Sequence, residues 1–238
     1  MREVYVADMP SLVRRLSEEV AATAGAAIAE RGLFSIALAG GSVATECFPA
    51  LAELPLAWRA VHFFWADERA VPPTDPESNF GTANRLWLAP AGVPNGSIHR
   101  MHADSDDLTA AAEDYALELS RVLGPEQTLD VALLGMGPDG HIASLFPDHP
   151  LLRERERLVV PVTDAPKPPP RRLSLTLPIL GGARRVIVVV FGPSKASALA
   201  EAMERDTSRL PVAQLLRLAQ RPLVLADEQA GGTLTGGT

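Results

Sequence analysis

The fold is decided by a stretch that passes from an apolar run into a glycine-rich turn, Leu129-Asp130-Val131-Ala132-Leu133-Leu134-Gly135-Met136-Gly137-Pro138-Asp139-Gly140-His141. The apolar run is typical of a buried β-strand. Similar runs occur at residues 34–39, 61–66 and 185–191, and they alternate with stretches of helical periodicity such as residues 10–31. Continuous apolar strands that alternate with helices predict an α/β fold, in which a Rossmann-like, mainly parallel sheet has helices on both faces.

The remainder of the chain extends this pattern. Residues 173–177 and 223–225 are predicted strands, and residues 106–123 are a predicted amphipathic helix. Since the sequence contains no internal repeat, we expect residues 1–238 to form one domain, with residues 230–238 as a flexible tail rich in glycine and threonine. A chain of this length buries enough surface to need neither disulfides nor a structural metal.

Charge and composition argue against several classes of protein. The formal net charge is −7 and basic residues form no run longer than pairs such as Arg171-Arg172, whereas nucleic-acid binding depends on many clustered cations. No stretch reaches the roughly 18 apolar residues of a membrane span, and the first residues lack a secretory signal pattern. Cys47, the only cysteine, cannot form an intrachain disulfide. We therefore expect a cytoplasmic monomer or small homo-oligomer with no nucleic-acid or membrane partner.

Polar turns follow four of the predicted strands. They begin after Ala39, Ala66, Leu134 and Phe191. In a parallel sheet, ligands bind beyond the carboxyl ends of the strands, and these ends share one edge of the sheet. The four turns are therefore expected to converge, which indicates an enzyme.

Two of these turns suit an anionic ligand. Gly40-Gly41-Ser42 precedes a predicted helix that runs to about residue 54, and glycines with free N–H groups at a helix start can bind an anion. A tight turn in which Ser42 caps the helix is the simpler alternative. Lys195, one of two lysines in the chain, lies near the start of another predicted helix, where the helix dipole disfavours it. It is either a phosphate contact or an ordinary solvated lysine.

The other two turns carry titratable groups. Asp67-Glu68-Arg69 is predicted to end the strand at residues 61–66, and a polar loop follows at residues 72–79. An arginine held there by carboxylates is suited to bind an oxyanion, although an exposed turn has the same composition. In the turn after Leu134, Asp139 and His141 bring a carboxylate close to an imidazole. Histidine transfers protons readily at neutral pH, but it is also common on surfaces.

Several other functional patterns are absent from the sequence. It contains no P-loop, no dinucleotide fingerprint and no nucleophile elbow. His99 and His102 lack acidic or cysteine partners at the spacing of a metal site. We therefore expect neither a metal nor a cofactor, and we place Cys47 in the core.

Taken together, these segments resemble the 6-phosphogluconolactonase family. The resemblance covers residues 34–227 in matching order, with one departure at Val43-Ala44, where the family commonly has Thr-Pro. The matching segments are Ala37-Leu38-Ala39-Gly40-Gly41-Ser42, Asp67-Glu68-Arg69 with Ser78-Asn79, Gly135-Met136-Gly137-Pro138-Asp139-Gly140-His141-Ile142-Ala143-Ser144-Leu145-Phe146-Pro147, Lys167-Pro168-Pro169 leading to Arg172-Leu173-Ser174-Leu175-Thr176, and residues 192–196.

The resemblance implies hydrolysis of 6-phospho-D-glucono-1,5-lactone, a sugar-phosphate lactone, to 6-phosphogluconate without a cofactor. His141 is similar to the family's general base, Arg69 or loop amides would stabilise the oxyanion, and Asp139 would orient the site or shape the turn. The phosphate would lie against the glycine turn and Lys195, with Arg172 as a weaker contact. The implied catalytic residues are His141, Asp139, Arg69 and Asp67, and the implied substrate- and phosphate-binding residues are Gly40, Gly41, Ser42, Lys195 and Arg172.

Two alternatives remain. The related glucosamine-6-phosphate deaminases share the Gly-x-Asp-Gly-His loop, but they typically have an acidic residue where this chain has Phe146 and a tyrosine where it has Arg69. A catalytically silent sugar-phosphate-binding regulator would keep the phosphate contacts without needing His141 and Asp139. No DNA-binding appendage is expected. These differences favour the lactonase.

Overall fold

The computed structural model of the protein describes residues 2–232 and 234. Its larger sheet has six strands, and every neighbouring pair in it is parallel. The expected α/β fold, a mainly parallel sheet flanked by helices, is confirmed. Numbered along the chain and given in their order across the sheet, the strands are β1 (Glu3–Ala7), β9 (Pro222–Asp227), β8 (Arg185–Val190), β5 (Val131–Gly135), β2 (Phe34–Leu38) and β3 (Val61–Trp65).

The helices begin and end at the residues that local chemistry favours. In the first helix, the Asp8 side chain accepts a hydrogen bond from the Ser11 amide at 2.9 Å, and Gly32, with a φ of 77°, ends the last turn. A π-helical turn, Asn84–Leu88, extends the third helix. The described helices are α1 (Met9–Arg31), α2 (Gly41–Ala52), α3 (Asn79–Ala83), α4 (Leu108–Leu123), α5 (Leu177–Gly181), α6 (Ala196–Glu204), α7 (Pro211–Leu218) and α8 (Glu228–Gly231).

The strands of the larger sheet differ in burial from its centre to its edge. Every residue of β2 and β8 is buried, which is why both are almost entirely apolar, with Ser35 and Arg185 as the exceptions. The edge strand β1 is largely exposed and pairs with β9, so that Tyr5 lies opposite Leu225. β1 is therefore an edge strand of the larger sheet and lies next to β9.

A second, antiparallel sheet lies next to the end of β3. It consists of β4 (Asp67–Arg69), β7 (Arg172–Leu175) and β6 (Val159–Val162), in that order. Ala66 joins the two sheets, because its amide donates to Leu38 of the larger sheet at 2.8 Å and its carbonyl accepts from Leu175 of the smaller one at 2.8 Å. The prediction that Asp67-Glu68-Arg69 only breaks a strand is therefore wrong, since these residues form a strand of their own.

Three elements have little signal in the sequence. β1 is exposed at three of its five positions, β6 contains Pro161, and α7 has eight residues and begins with a proline. The predicted flexible tail also needs correction at its start. Ala230 and Gly231 are buried in α8, which Asp227 caps by accepting from the Ala230 amide at 2.7 Å. The rest of that predicted tail, apart from residues 232 and 234, lies outside the described residues.

The amino end of the larger sheet carries an ion-pair cluster around a buried arginine. Arg185, at the start of β8, is 3% exposed and donates to Glu19 at 2.6 Å and to Glu3 at 2.9 Å. This cluster lies at the end of β8 opposite the turn that leads to Lys195. Across the described residues, no helix combines the length and apolarity that crossing a membrane requires.

Candidate active site

A cavity of about 210 Å³ lies at the carboxyl ends of β2, β3, β5 and β8. As expected from the sheet topology, all four polar turns contribute to it. Asp139 does not line the cavity directly but contacts His141, which does. The other predicted site residues that line it are Gly40, Gly41, Ser42, Asp67, Arg69, Arg172 and Lys195.

His141 is held by Asp139 and Lys167. The Nδ1 atom of His141 lies 2.5 Å from Oδ1 of Asp139, and Nζ of Lys167 lies 3.3 Å from both of these atoms. The carboxylate accepts the proton of Nδ1, which leaves Nε2 as the basic nitrogen of the imidazole. Burial lowers the pKa of His141, and the hydrogen bond to Asp139 offsets this only in part. A neutral imidazole is therefore available as a base at neutral pH.

Asp139 is kept ionised by its two partners. Partial burial would by itself raise the pKa of Asp139, but the hydrogen bond from His141 and the charge of Lys167 lower it. The carboxylate can therefore stabilise an imidazolium when His141 takes up a proton.

The glycine-rich turn is shaped around the His141 ring. The amide of Gly137 donates to the carbonyl of His141 at 2.9 Å, so the turn closes on itself. A side chain on Gly137 would overlap the imidazole and the Asp139 carboxylate. The backbone therefore approaches the ring as closely as it does only because this position has no Cβ.

Asp67 is buried at 5% exposure and is held on both sides. The hydroxyl of Ser144 donates to its Oδ2 at 2.6 Å, and the side-chain amide of Asn79 donates to its backbone carbonyl at 2.8 Å. Its negative charge raises the pKa of His141, against the effect of burial. Asp67 therefore stands as a fixed charge near the base.

Arg69 is not held in the way expected from the sequence. Its Nη1 donates to the backbone carbonyl of Glu77 at 2.6 Å and lies 3.5 Å from the Glu77 carboxylate. The adjacent Glu68 contacts the backbone amide of Arg69 instead of its guanidinium. The carboxylate that steadies the Arg69 guanidinium is therefore on the polar loop, and this loop places the arginine at the cavity.

The Glu68 carboxylate is a buried hydrogen-bond hub. It accepts from the amides of Arg69, Asn79 and Phe80 at 2.7–2.8 Å and from the Ser78 hydroxyl at 3.1 Å. Burial raises the pKa of Glu68, against the effect of these amides. Glu68 thereby ties the start of α3, which carries Asn79, to β4.

Arg172 supports the segment that carries Lys167. Its guanidinium is 5% exposed and donates to the carbonyls of Lys167, Pro168 and Pro169 at 2.9–3.1 Å. It also lies 4.0 Å from the Asp67 carboxylate. These contacts engage most of its donors, so the geometry favours a positioning role.

The glycine turn after β2 and Lys195 face each other. Gly41 has a φ of 62°, a conformation that favours glycine, and Nζ of Lys195 lies 3.4 Å from the Ser42 hydroxyl. Gly40, not Ser42, occupies the cap position of α2, and it makes no side-chain capping bond. Burial lowers the pKa of Lys195. The Ser42 hydroxyl is therefore not used as a helix cap, and the two turns together form a polar cradle suited to an anion.

Two residues of the site received no role from the sequence, Lys167 and Asn79. Lys167 is 26 positions from His141, and its contact with that histidine depends on the fold of the intervening chain. Asn79 lines the cavity, and its amide oxygen occupies the space that a side chain at Gly40 would need. Both lie in segments that resemble the family, and this resemblance was the one sequence signal that could have identified them as site residues.

The assembled groups can carry out acyl chemistry on an anionic substrate. A base supported by a carboxylate lies in the same cavity as an arginine and a cradle for an anion. Within residues 2–232 and 234, no group of three or more histidine, cysteine, aspartate or glutamate side chains is arranged to hold a metal ion.

Comparison with known proteins agrees with this geometry. Residues 7–224 match the family described as Glucosamine-6-phosphate isomerases/6-phosphogluconolactonase. The sequence is 39% identical over 237 residues to a 6-phosphogluconolactonase of Mycobacterium tuberculosis, covering 95% of this chain and 96% of that protein. A Streptomyces coelicolor 6-phosphogluconolactonase is 38% identical, with 96% of both chains covered. The crystal structure of the Thermotoga maritima 6-phosphogluconolactonase superposes with a TM-score of 0.83 at 27% identity, covering 95% of this chain and 99% of that one.

Proposed function

The chain belongs to the glucosamine-6-phosphate isomerase/6-phosphogluconolactonase family, and from this premise we propose that it hydrolyses 6-phospho-D-glucono-1,5-lactone to 6-phospho-D-gluconate in the oxidative pentose phosphate pathway. The observation that carries the proposal is the pairing of His141 with Asp139 at a cavity that also holds an anion cradle. The relatives named above, 6-phosphogluconolactonases at 38–39% identity, support the same activity.

In the proposed reaction, His141 acts as the general base. Its Nε2 atom takes a proton from water as the water oxygen attacks the lactone carbonyl, and Asp139 stabilises the imidazolium that forms. Arg69 or loop amides donate hydrogen bonds to the developing oxyanion, and a single donor of this kind is worth roughly 3–4 kcal/mol. When the ring C–O bond breaks, His141 returns the proton to the departing ring oxygen. The single product is the ring-opened hydroxy acid, whose hydroxyl group contains the former ring oxygen, and no cofactor takes part.

The phosphate of the substrate is proposed to lie against Gly41, Ser42 and Lys195. The N–H groups at the start of α2 and the ammonium of Lys195 complement its charge. The contact between Lys195 and Ser42 supports this placement, because it brings both donors to one point. Arg172 acts mainly by fixing the Lys167 segment.

Phe146 distinguishes this proposal from a deaminase. Its ring centroid lies 4.8 Å from that of His141, so an apolar ring packs on the base where the related deaminases typically have an acidic side chain. A hydrolase needs one base and one activated water, whereas isomerisation must move protons along an opened sugar chain. A silent regulator would not require the arrangement of His141 and Asp139.

The test is a coupled assay of the full chain that compares 6-phosphogluconolactone with glucosamine 6-phosphate. We expect activity on the lactone, and we expect His141→Ala to remove most of it, by a factor of about 10² or more, after correction for spontaneous hydrolysis. Binding of 6-phosphogluconate should be largely kept. His102→Ala, a change at an exposed histidine, is the matched control.

Two outcomes would contradict the proposal. Turnover of the amine without turnover of the lactone would reverse the choice of function. Near-normal lactone turnover in His141→Ala would leave the function in place but remove His141 from the mechanism.

The protein is further proposed to act in the cytoplasm as a monomer or small homo-oligomer, without nucleic acid. Its single cysteine is buried, which suits a reducing compartment. Its net charge of −7 disfavours contact with a phosphate backbone.

A further inference from the structure

A second cleft, which we call the arginine cleft, lies between the 3₁₀ turn at Pro150–Arg153 and the start of α7. Its volume is about 280 Å³, and none of its lining residues lines the proposed active site. Four arginines but a single aspartate line it, in a chain whose net charge is −7. The lining residues are Asp148, His149, Leu152, Arg153, Arg155, Thr207, Ser208, Arg209, Gln214 and Arg217.

Two of the four guanidinium groups are held in place by backbone carbonyls. Arg217 donates to the carbonyls of Asp206 at 3.1 Å and Ser208 at 2.6 Å. Arg155 donates through Nη1 to the carbonyls of Leu152 at 2.8 Å and Glu154 at 2.7 Å. Because a guanidinium has five N–H groups, each of these two arginines keeps donors for a ligand while its position is already fixed. This pre-ordering lowers the entropy lost on binding.

The other two arginines have weaker ties. Arg209 is 80% exposed in its side chain and lies 3.8 Å from the Asp148 carboxylate, itself 84% exposed. Among contacts between described residues, the Arg153 guanidinium has no hydrogen bond or ion pair. At such exposure, the contact with Asp148 neutralises little of the positive charge. Both guanidiniums can therefore turn toward an anion.

His149 lines the cleft and is held by two hydrogen bonds. Its Nδ1 accepts from the Leu151 amide at 3.3 Å, and its Nε2 lies 3.0 Å from the Asp164 carboxylate. Asp164 is therefore engaged by His149, and the arginines supply the positive field of the cleft.

We propose that the arginine cleft is a binding site for a phosphorylated small molecule that carries two or more negative charges. Guanidinium groups match phosphate oxygens through paired N–H donors, and several of them around one cleft favour a multiply charged ligand over a single carboxylate. The cleft volume suits a small ester or diphosphate. The site is independent of the proposed function.

Two backbone hydrogen bonds connect the walls of the cleft with the proposed active site. Phe146 packs on His141, and its carbonyl accepts from the His149 amide at 3.2 Å. On the other side, the Val212 amide at the start of α7 donates to the Gly140 carbonyl at 3.1 Å. A ligand that contacts both the Pro150–Arg153 turn and the start of α7 would therefore stabilise the turn that carries His141.

The test measures binding of inorganic pyrophosphate to the full chain by isothermal titration calorimetry in low-salt buffer. The variants are Arg153→Ala/Arg209→Ala for the cleft, Lys195→Met for the active-site cradle, and Arg59→Ala/Arg85→Ala as a control. The control removes the same charge at two other exposed arginines. Arg155 and Arg217 are left in place because their carbonyl contacts support the backbone.

We expect a binding event that persists in Lys195→Met and weakens about tenfold or more in Arg153→Ala/Arg209→Ala, with the control unchanged. Arg153→Lys/Arg209→Lys keeps the charge but not the planar donor pair, and it should fall between wild type and the alanine variant. If pyrophosphate binding weakened equally in the cleft variant and the control, the loss would be due to overall charge, and the proposed site would be wrong. Loss of all pyrophosphate binding in Lys195→Met would also overturn it.

Discussion

Among single residues, Asp139 offers the sharpest probe of the proposed chemistry. Its charge raises the pKa of His141, although burial leaves that pKa below its ordinary value. In Asp139→Asn the charge is lost, so the pKa of His141 should fall further. The acid limb of the pH profile of kcat/KM should then move to lower pH. The maximal rate should also drop by about 10²-fold or more, because the imidazole loses its fixed tautomer.

The matched control for this change is Asp148→Asn. Asp148 lies on the same loop, but its side chain is 84% exposed and does not contact His141. The pH profile should stay as in the wild type. An acid limb that moved to higher pH in Asp139→Asn would contradict the electrostatic role of Asp139.

Lys195 should affect substrate affinity more than turnover. Lys195→Met keeps the apolar stem and removes the ammonium that faces Ser42. One charge-assisted hydrogen bond is worth about 1.5–3 kcal/mol, so KM for the lactone should rise roughly ten- to hundredfold with little change in kcat. Steady-state kinetics of Lys195→Met test this, with Arg205→Met, a change at the other end of α6, as the control. A fall in kcat alone would mean that Lys195 does not bind the phosphate.

The site residues could be predicted from sequence where strand ends bring them together. The turns after β2, β3, β5 and β8 meet because parallel strands end at one edge, and this follows from the apolar pattern alone. The contact of Lys167 with His141 could not be predicted in this way. It depends on Arg172 and three backbone carbonyls that fix a loop without regular structure.

At the scale of elements, β4 and α3 are joined by one buried carboxylate. Glu68→Gln replaces an acceptor of four hydrogen bonds with a group that has one oxygen and two donors. An unsatisfied buried donor costs about 1–3 kcal/mol, and at least one would remain. The free energy of unfolding should therefore fall by about 3 kcal/mol in urea titration, and lactone turnover should fall because Asn79 loses its support.

Glu77→Gln is the control for this element. Glu77 lies on the same loop, but its side chain is 58% exposed and its ion pair with Arg69 is solvated. We expect a change of less than about 1 kcal/mol. Equal losses of unfolding free energy in the two variants would show that Glu68 does not hold β4 and α3 together.

Element type was predictable where the hydrophobic period is long, as in α1 and β8. It was not predictable for β4, because Asp67-Glu68-Arg69 has the composition of a turn. These residues form a strand because β7 supplies a partner from more than a hundred positions away, with Asp67 opposite Ser174. Pairing with a distant strand overrides local preference here.

At the scale of the whole molecule, the two ends of the larger sheet serve different purposes. The carboxyl ends carry the proposed chemistry, and the amino ends carry the ion-pair cluster of Arg185. Arg185→Met keeps apolar bulk but removes the buried guanidinium that Glu19 and Glu3 share, while Glu19 keeps a second ion pair with Arg15 at 3.2 Å. Because a hydrogen bond to a charged group is worth about 1.5–3 kcal/mol, the free energy of unfolding should fall by about that amount while kcat/KM stays unchanged.

Arg184→Met is the neighbouring control. The Arg184 side chain is 41% exposed and its partner Glu126 is 70% exposed. Its other partner, Asp130, lies 3.6 Å away and keeps a closer ion pair with Arg31 at 2.6 Å, so we expect a loss of less than about 1 kcal/mol. Chemical denaturation and lactone assays on both variants test whether the amino ends of the strands support stability and the carboxyl ends support activity. Loss of activity in Arg185→Met at a temperature where the protein stays folded would contradict it.

The pairing of β1 with β9 has a consequence for how the molecule is made on the ribosome. β1 is synthesised long before β9 and cannot pair with it until residues 222–227 have left the exit tunnel. Until then, the edge of β8 that β9 will cover is also open, and an open apolar edge can pair with other chains. A nascent chain stalled before residue 222 would expose this edge for as long as the stall lasts. Pairing of β9 with β8 thus ends the period during which this edge is open to other chains.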